Sequence, residues 1–382
     1  MASLDIGTRE LTVADKLRGI QWGLVLLLGA ISCIGFAMLY SAANGDMQPW
    51  ASRQMTRFAM ALVPMLAVAL VDVRFWFRGA YWVYAAALLL VAAVDVRGIA
   101  GLGAQRWIDL GIIQLQPSEI MKIALVLALA RYFHTLPSEN AGRLVHLVMP
   151  ALLILLPTAL VLKQPDLGTA MMLLATGVVL LFLGGVRLWV FGAGALMAMA
   201  AAPVGWSFLR DYQKSRLYTF LDPDRDPLGA GYHILQSKIA LGSGGVFGKG
   251  FLLGTQSHLS FLPEKQTDFI FTMIAEEFGL VGGVGLLLLY TLVIAYAFAI
   301  ALRSRSQFGR LLGLGIAVNF FLYVFINTAM VMGLIPVVGV PLPLISYGGT
   351  AMITALLGFG LLMNVGIHRD VRISAVGESR LT

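Results

Sequence analysis

Residues 20–40 read IQWGLVLLLGAISCIGFAMLY, a run with no charged side chain. A helix of that length rises about 1.5 Å per residue and crosses the roughly 30 Å of hydrocarbon in a bilayer. The run is too long for a signal-peptide core, and no small-residue cleavage site follows it. It therefore reads as a retained span behind a polar segment, 1–19. The same pattern recurs near 54–71, 79–94, 117–133, 146–162, 167–185, 188–206, 269–301, 311–333 and 349–367. The expected fold is an all-α integral membrane bundle of about ten transmembrane helices, a single polytopic domain over 1–382. The 269–301 stretch exceeds one span and holds Glu276, Glu277, Gly279, Gly282 and Gly283, so its first part is expected at an interface or along a cavity.

Composition agrees. Of 382 residues, 59% are apolar and 12% charged, about half the charge of an ordinary soluble domain and too little to cover a water-facing surface. The net charge of +7 would suggest nucleic acid in a soluble chain. Here the basic residues lie between spans, where they set topology and meet anionic lipid, so no nucleic-acid partner is expected. Cys33 is the one cysteine, which allows no intrachain disulfide and no zinc cluster.

With the N-terminus in the cytoplasm, the inside segments collect Arg74, Arg78, Arg143, Arg187, Arg303 and further basic residues. The short outside loops carry only Arg53, Arg57, Arg97, Arg106 and Lys163. That bias is the positive-inside pattern. Both termini are then expected in the cytoplasm, including the tail 368–382, and the polar loop 207–267, between the seventh and eighth helices, outside. Chemistry is expected on that outer face.

Ionisable residues at membrane depth are functional candidates by default. In Gln116-Pro117-Ser118-Glu119-Ile120-Met121-Lys122, proline suits a first helical turn, and Glu119 and Lys122 share a helix face. They read either as an ion pair that lets both enter the membrane or as the lining of a polar cavity, where Lys122 meets an anion. Lys163-Gln164-Pro165-Asp166-Leu167-Gly168-Thr169 reads either as a helix boundary capped by Asp166 or as part of the same cavity. The segment from Ile335 to Gly349 is apolar, yet Pro336, Pro341 and Pro343 forbid a regular helix. Irregular backbone at that depth needs protein or water around it, which suits a re-entrant loop beside a cavity.

The long loop holds Tyr212 to Arg216, Gln236-Ser237-Lys238 and a glycine-rich run, Gly242 to Gly250. The run fails the nucleotide-binding P-loop pattern: Ser243 stands where the first glycine belongs, and Gly250 where magnesium needs a hydroxyl. It is a flexible turn or a backbone-amide anion site. The histidines, His134, His146, His233, His258 and His368, show no metal-ligand spacing. The carboxylate singled out is Asp268, where polar loop meets apolar helix. Asp268, or Thr267 beside it, caps that helix; alternatively a partly desolvated Asp268 serves as a general base.

Across residues 17 to 370 these blocks resemble the SEDS proteins (shape, elongation, division and sporulation). The matching stretches are Gly103 to Ile108, Gln116 to Glu119 with Lys122, Gln164 to Thr169, the three loop motifs with Gly242 to Gly245, Pro263-Glu264 to Thr267-Asp268-Phe269, and Pro341 to Gly349. The stretch Trp107 to Leu110 and the loop around Asp268 look more like the elongation branch than the division branch. The resemblance implies a glycosyltransferase of the bacterial cytoplasmic membrane that polymerises lipid II, the undecaprenyl-pyrophosphate-linked disaccharide-pentapeptide, into glycan. It implies a class B penicillin-binding protein as crosslinking partner, alongside elongation-complex proteins of the MreC, MreD and RodZ type. It places the essential carboxylate at Asp268 and the intramembrane pair at Glu119 and Lys122.

On that expectation Asp268 takes a proton from the attacking sugar hydroxyl, and the transfer inverts the anomeric centre. Glu119, Lys122 and Asp166 support a polar cavity. Arg106, Trp107, Lys163, Arg216, Gln236, Lys238, Ser243 and Ser346 contact sugar or pyrophosphate. No cofactor is required by any motif, though a divalent Mg or Mn ion stays open. The rival readings are a lipid II flippase and a non-catalytic scaffold.

Overall fold

The computed structural model describes residues 12–101, 104–109, 114–140, 142–208, 211–222, 230–255 and 264–373. Helix α1 (Val13–Arg18) is a short turn closed by a Thr12–Asp15 capping box. Then come α2 (Trp22–Ala42), α3 (Ala51–Leu70) and α4 (Val73–Arg97). Three short antiparallel strands follow, β1 (Ile99–Gly101), β2 (Ala104–Asp109) and β3 (Gln114–Leu115). The chain continues through α5 (Pro117–Thr135), α6 (Val148–Lys163), α7 (Leu167–Leu183) and α8 (Leu188–Phe208). It ends with α9 (Asp211–Leu221), α10 (Ala230–Ser243), α11 (Ile270–Leu302), α12 (Gln307–Val331) and α13 (Gly349–Ile367).

Each of the ten expected spans coincides with one of the long helices α2–α8 and α11–α13. Six of these are long and apolar enough by composition to cross a membrane, and α7 and α8 are shorter apolar helices. The other two, α3 and α5, carry charge: Arg53 and Arg57 in the first, and Glu119, Lys122 and Arg131 in the second. Outward-facing Leu26, Val63, Leu89, Phe182 and Leu288 are exposed, as side chains bathed in lipid are.

Helix ends differ from the expected ones where capping decides them. Asp72 accepts from the Arg74 amide at 2.7 Å and starts α4 well before residue 79. Ser306 accepts from the Gly309 amide at 3.0 Å and starts α12 before 311. Two features were not foreseen. The loop expected at 207–267 contains α9 and α10, and the outer motif around Arg106 lies on a small sheet in which Ile99 pairs with Trp107. The motif residues Gly103, Leu110 and Pro263, and the loop histidine His258, lie outside the described residues.

The α3 and α13 helices pack at backbone distance: a Cβ on Gly360 would meet the Met65 carbonyl carbon at 3.2 Å. Asn364 donates to the terminal carbonyls Val68 O and Ala69 O, closing the end of α3. Gln21 lies against Gly366, so the two described chain ends share one end of the bundle. The opposite end gathers the starts of α3, α5, α7, α11 and α13 with the end of α12.

Helix α11 is broken at Gly279, whose φ of 66° and ψ of −162° are non-helical. The glycine-rich run fills the break. Lys249 and Gly250 amides donate to Glu276 O and Glu277 O, and Leu280 and Val281 amides donate to Gly245 O and Val246 O. The run is thus a structural clasp, and Ser243, expected to touch substrate, turns its hydroxyl back to Ala240 O at 3.0 Å. The buried glutamates are held there as well: Glu276 pairs with Lys249 at 2.8 Å, and Ser41 donates to Glu277.

Only glycine combines that φ with backbone on its Cβ side. Gly279→Ala is expected to lower the thermal unfolding midpoint in detergent, by about 2 kcal/mol or more of stability. Gly285→Ala, where a Cβ meets nothing within 4 Å, is expected to leave it unchanged or slightly raised.

Candidate active site

Asp268 lies in the turn between Glu264 and Ile270. Neither it nor Thr267 caps α11: the cap position is Phe269, with no side-chain cap bond, and the Thr267 hydroxyl donates to Glu264 Oε2 at 2.9 Å. Among the described residues nothing hydrogen-bonds the Asp268 carboxylate. Its backbone, by contrast, is held firmly. Asn327 Nδ2 donates to Asp268 O and to Val340 O, each at 2.8 Å. One amide from α12 therefore ties the Asp268 turn to the irregular 332–348 segment.

That segment is irregular, as its prolines dictate. Its backbone groups are satisfied by side chains from all around. Arg216 Nη1 donates to Val337 O at 3.0 Å, Tyr290 to Pro343 O at 2.6 Å, and Gln54 to Ser346 O at 3.0 Å. The Ser346 hydroxyl donates to Thr267 O at 2.6 Å and accepts from the Leu342 amide at 2.8 Å. Ser346 is buried, and these two bonds make it a pin that holds the turn before Asp268.

The Asp268 carboxylate faces Gly339, where a Cβ would stand 3.4 Å from Oδ2. Desolvation first, then the nearby Glu264 and Asp166 charges, push its pKa from 3.8 up to about 6, against the opposing pull of Arg216 and Arg106. Arg106, from β2, donates to Pro165 O. Asp166 caps α7, accepting from the Thr169 amide at 3.2 Å and from Gln116 at 3.1 Å. Four chain segments distant in sequence thus bring Arg106, Asp166, Arg216 and Asp268 into one electrostatic group.

The remaining candidates sit at varied distances from this group. Trp107 is half-buried beside Arg106 on β2, and Lys163 is exposed at the end of α6. Gln236 is half-buried and Lys238 exposed on α10, with the Lys238 side chain lying over Gly333. Between them Ser237 is buried and pins α10, bonding Thr272 at 3.0 Å and Val331 O at 2.7 Å.

Glu119 and Lys122 form a buried pair at 2.8 Å. Tyr323 closes the pair: its hydroxyl donates to Glu119 and accepts from Lys122, and the ammonium lies 4.2 Å from the ring centroid. Two cavities of about 10 and 20 Å³ border Tyr323, each room for about one water. Asp166 lies within electrostatic reach of Tyr323, so the buried triad adjoins the Asp268 group.

Tyr323 and Asn327 were missed in sequence. They are four residues apart on α12 and so share a face; that spacing of two polar residues inside an apolar helix was the available signal. Among the described residues no three or more His, Cys, Asp or Glu side chains assemble as a metal site.

The chain matches the FtsW/RodA/SpoVE cell cycle protein family over residues 16–371. It is 45% identical over 358 residues to the peptidoglycan glycosyltransferase MrdB of Escherichia coli K12, covering 92% of this chain and 95% of that protein. It is 32% identical to the peptidoglycan glycosyltransferase RodA of Treponema pallidum, covering 93% and 100%. The crystal structure of the rod shape determining protein RodA of Thermus thermophilus superposes with a TM-score of 0.70 at 33% identity, covering 92% and 97%. A chain from a structure describing the coordination of polymerization and crosslinking by a peptidoglycan synthase complex gives 0.79 at 36% identity, covering 92% and 98%.

Tyr323→Phe keeps the ring and removes the hydroxyl that closes the buried pair. It is expected to lower kcat for glycosyl transfer about tenfold and stability by about 1–3 kcal/mol, with KM little changed. Steady-state rates and thermal melts of the purified variant check this.

Proposed function

This chain belongs to the FtsW/RodA/SpoVE family of cell cycle proteins, and on that premise we propose that Asp268 is the general base with which it extends glycan strands from lipid II. It is a multi-pass membrane protein and a peptidoglycan glycosyltransferase. The observation that carries the assignment of Asp268 is its placement: a half-buried carboxylate with no capping duty, within electrostatic reach of Arg106 and Arg216.

The acceptor sugar hydroxyl titrates far above neutral pH, so attack needs a base at hydrogen-bond distance. Asp268 takes the hydroxyl proton as the oxygen bonds to the anomeric carbon. The bond from that carbon to the lipid pyrophosphate breaks, and its electron pair leaves with the phosphate. In-line attack inverts the centre, and the proton passes from Asp268 to solvent. Charge grows on the leaving pyrophosphate, where fixed cations in a low-dielectric cleft stabilise it. Arg106 and Arg216 fill that role, each anchored through a backbone carbonyl. Lys122 is occupied by Glu119 and Tyr323 and acts by positioning α5 against α12. A Mg or Mn ion would supply further positive charge to the leaving group; among the described residues no three or more His, Cys, Asp or Glu side chains assemble to hold one.

The site end of the bundle faces outward in this reading. Support comes from the opposite end, which holds both described chain ends with Arg74, Arg78, Arg187, Arg303, Arg305 and Arg369, the positive-inside pattern for a bacterial cytoplasmic membrane. The lipid tail of the substrate lies along the apolar helix faces while the sugars meet the site. A class B penicillin-binding protein is the crosslinking partner, in an elongation complex with proteins of the MreC, MreD and RodZ type. Similarity to a chain from a peptidoglycan synthase complex supports that partnership. A flippase needs a polar route through the bundle; beside the buried triad the cavities admit single waters.

Asp268→Asn preserves shape and removes the base, so lipid II polymerisation by the purified partner complex is expected to fall about 100-fold or more. Wild-type activity should rise about tenfold per pH unit up to about pH 6 and level above it, because the carboxylate must be ionised. The stability effect has a fixed sign. The raised pKa means that the folded protein holds the proton more tightly, so stability present below about pH 4 is lost as the pH rises to about 6 and is level above it. The Asn variant should therefore melt higher than wild type at pH 7.5 and equally at pH 4. Wild-type polymerisation by Asp268→Asn would exclude the role.

A further inference from the structure

At the end of the bundle opposite Asp268, a cavity of about 250 Å³ opens between the start of α2 and the ends of α11 and α13. It is more than tenfold larger than the cavity of about 20 Å³ near Tyr323. Gln21, Tyr296, Arg303, Gly366 and Arg369 line it. Three features point to a ligand. First, Arg303 has no ion-pair partner among the described residues, while Arg369 pairs with Asp370 at 3.3 Å. Asp370 is also shared with Arg305 at 3.2 Å, so one carboxylate serves two guanidiniums and the cluster keeps surplus positive charge. Second, the Gln21 amide nitrogen donates to Gly19 O at 2.7 Å, and its oxygen is buried with no hydrogen-bond partner. A buried acceptor left open calls for a donor. Third, the cavity borders apolar helix faces carrying exposed Trp22, Leu26, Leu292 and Leu302.

We infer that this cavity binds the phosphodiester of an anionic, hydroxyl-bearing headgroup. The phosphate sits between Arg303 and Arg369, whose planar guanidiniums suit its oxygens. A headgroup hydroxyl donates to Gln21 Oε1. The flanking apolar faces accept acyl chains, which favours a lipid such as phosphatidylglycerol over a soluble phosphate ester. The site lies at the opposite end of the helices from the transfer chemistry and is independent of it.

The test uses the full chain, purified in neutral detergent and presented with phosphatidylglycerol, phosphatidic acid, phosphatidylcholine or glycerol 3-phosphate. Retained ligand is counted by native mass spectrometry. The wild type is expected to retain one phosphatidylglycerol in preference to phosphatidylcholine. Arg303→Gln and Arg369→Gln should each weaken that retention about fivefold or more. Arg187→Gln removes the same charge from an exposed position and should not weaken it. Gln21→Leu should reduce the preference for phosphatidylglycerol over phosphatidic acid, which lacks the headgroup hydroxyl. Glycerol 3-phosphate that fails to displace the bound lipid assigns the site to a lipid; displacement at equal concentration assigns the same phosphate site to a soluble ester. Equal retention of phosphatidylglycerol and phosphatidylcholine by the wild type would overturn the inference, as would an Arg187→Gln loss as large as the Arg303→Gln loss.

Discussion

One carboxamide joins the two irregular segments from which the site is made. Asn327 offers its nitrogen to the carbonyls of Asp268 and Val340, each at 2.8 Å. An amide nitrogen has two hydrogens, and both are used on backbone that no helix satisfies. The turn that carries the carboxylate and the broken loop that walls it are thereby fixed to α12, which is buried over most of its surface. Four residues earlier on the same face, Tyr323 closes the Glu119–Lys122 pair. A single helix face therefore sets both the reacting acid and the charged pair within the bundle.

The surroundings follow from a constraint specific to lipid. Backbone left unpaired there costs several kcal/mol per group, so a non-helical segment survives only under a full cover of donors and acceptors. The 332–348 loop meets that demand with Arg216, Asn327, Tyr290, Gln54 and Ser346. The break at Gly279 meets it with the 245–250 backbone. Among the described residues, the carboxylate of Asp268 is left without a hydrogen bond at the site, and that is the group the chemistry requires. Its elevated pKa is a consequence of the same desolvated placement.

Ten spans were legible because long uncharged runs such as 20–40 have one physical explanation. Their ends were less so, since Asp72 and Ser306 set them through capping bonds that a run of apolar residues hides. Helices α9 and α10 were hidden in a polar stretch with no membrane signal. At the site, Asp268 was visible as a carboxylate at a polar–apolar boundary, and Glu119 and Lys122 by their spacing. The carbonyl bonds made by the Ser243 and Ser346 hydroxyls could not be read from sequence, which does not show which carbonyl a hydroxyl meets. Asn327 and Tyr323 were passed over because one polar residue in an apolar helix looks like ordinary helix packing until its partner is seen. The service of the glycine-rich run as a clasp depends on a break thirty residues away that glycine content alone does not locate.

The central claim is that Asn327 holds the Asp268 turn in catalytic register. The direct measurement is kcat for lipid II polymerisation by Asn327→Leu, which keeps the volume and removes both hydrogen bonds, alongside its melting temperature. The expected result is a folded protein whose kcat is lower by about tenfold to 100-fold, in line with about 1–3 kcal/mol lost with the bridge, with KM changed far less. A folded Asn327→Leu enzyme turning over at the wild-type rate would contradict it.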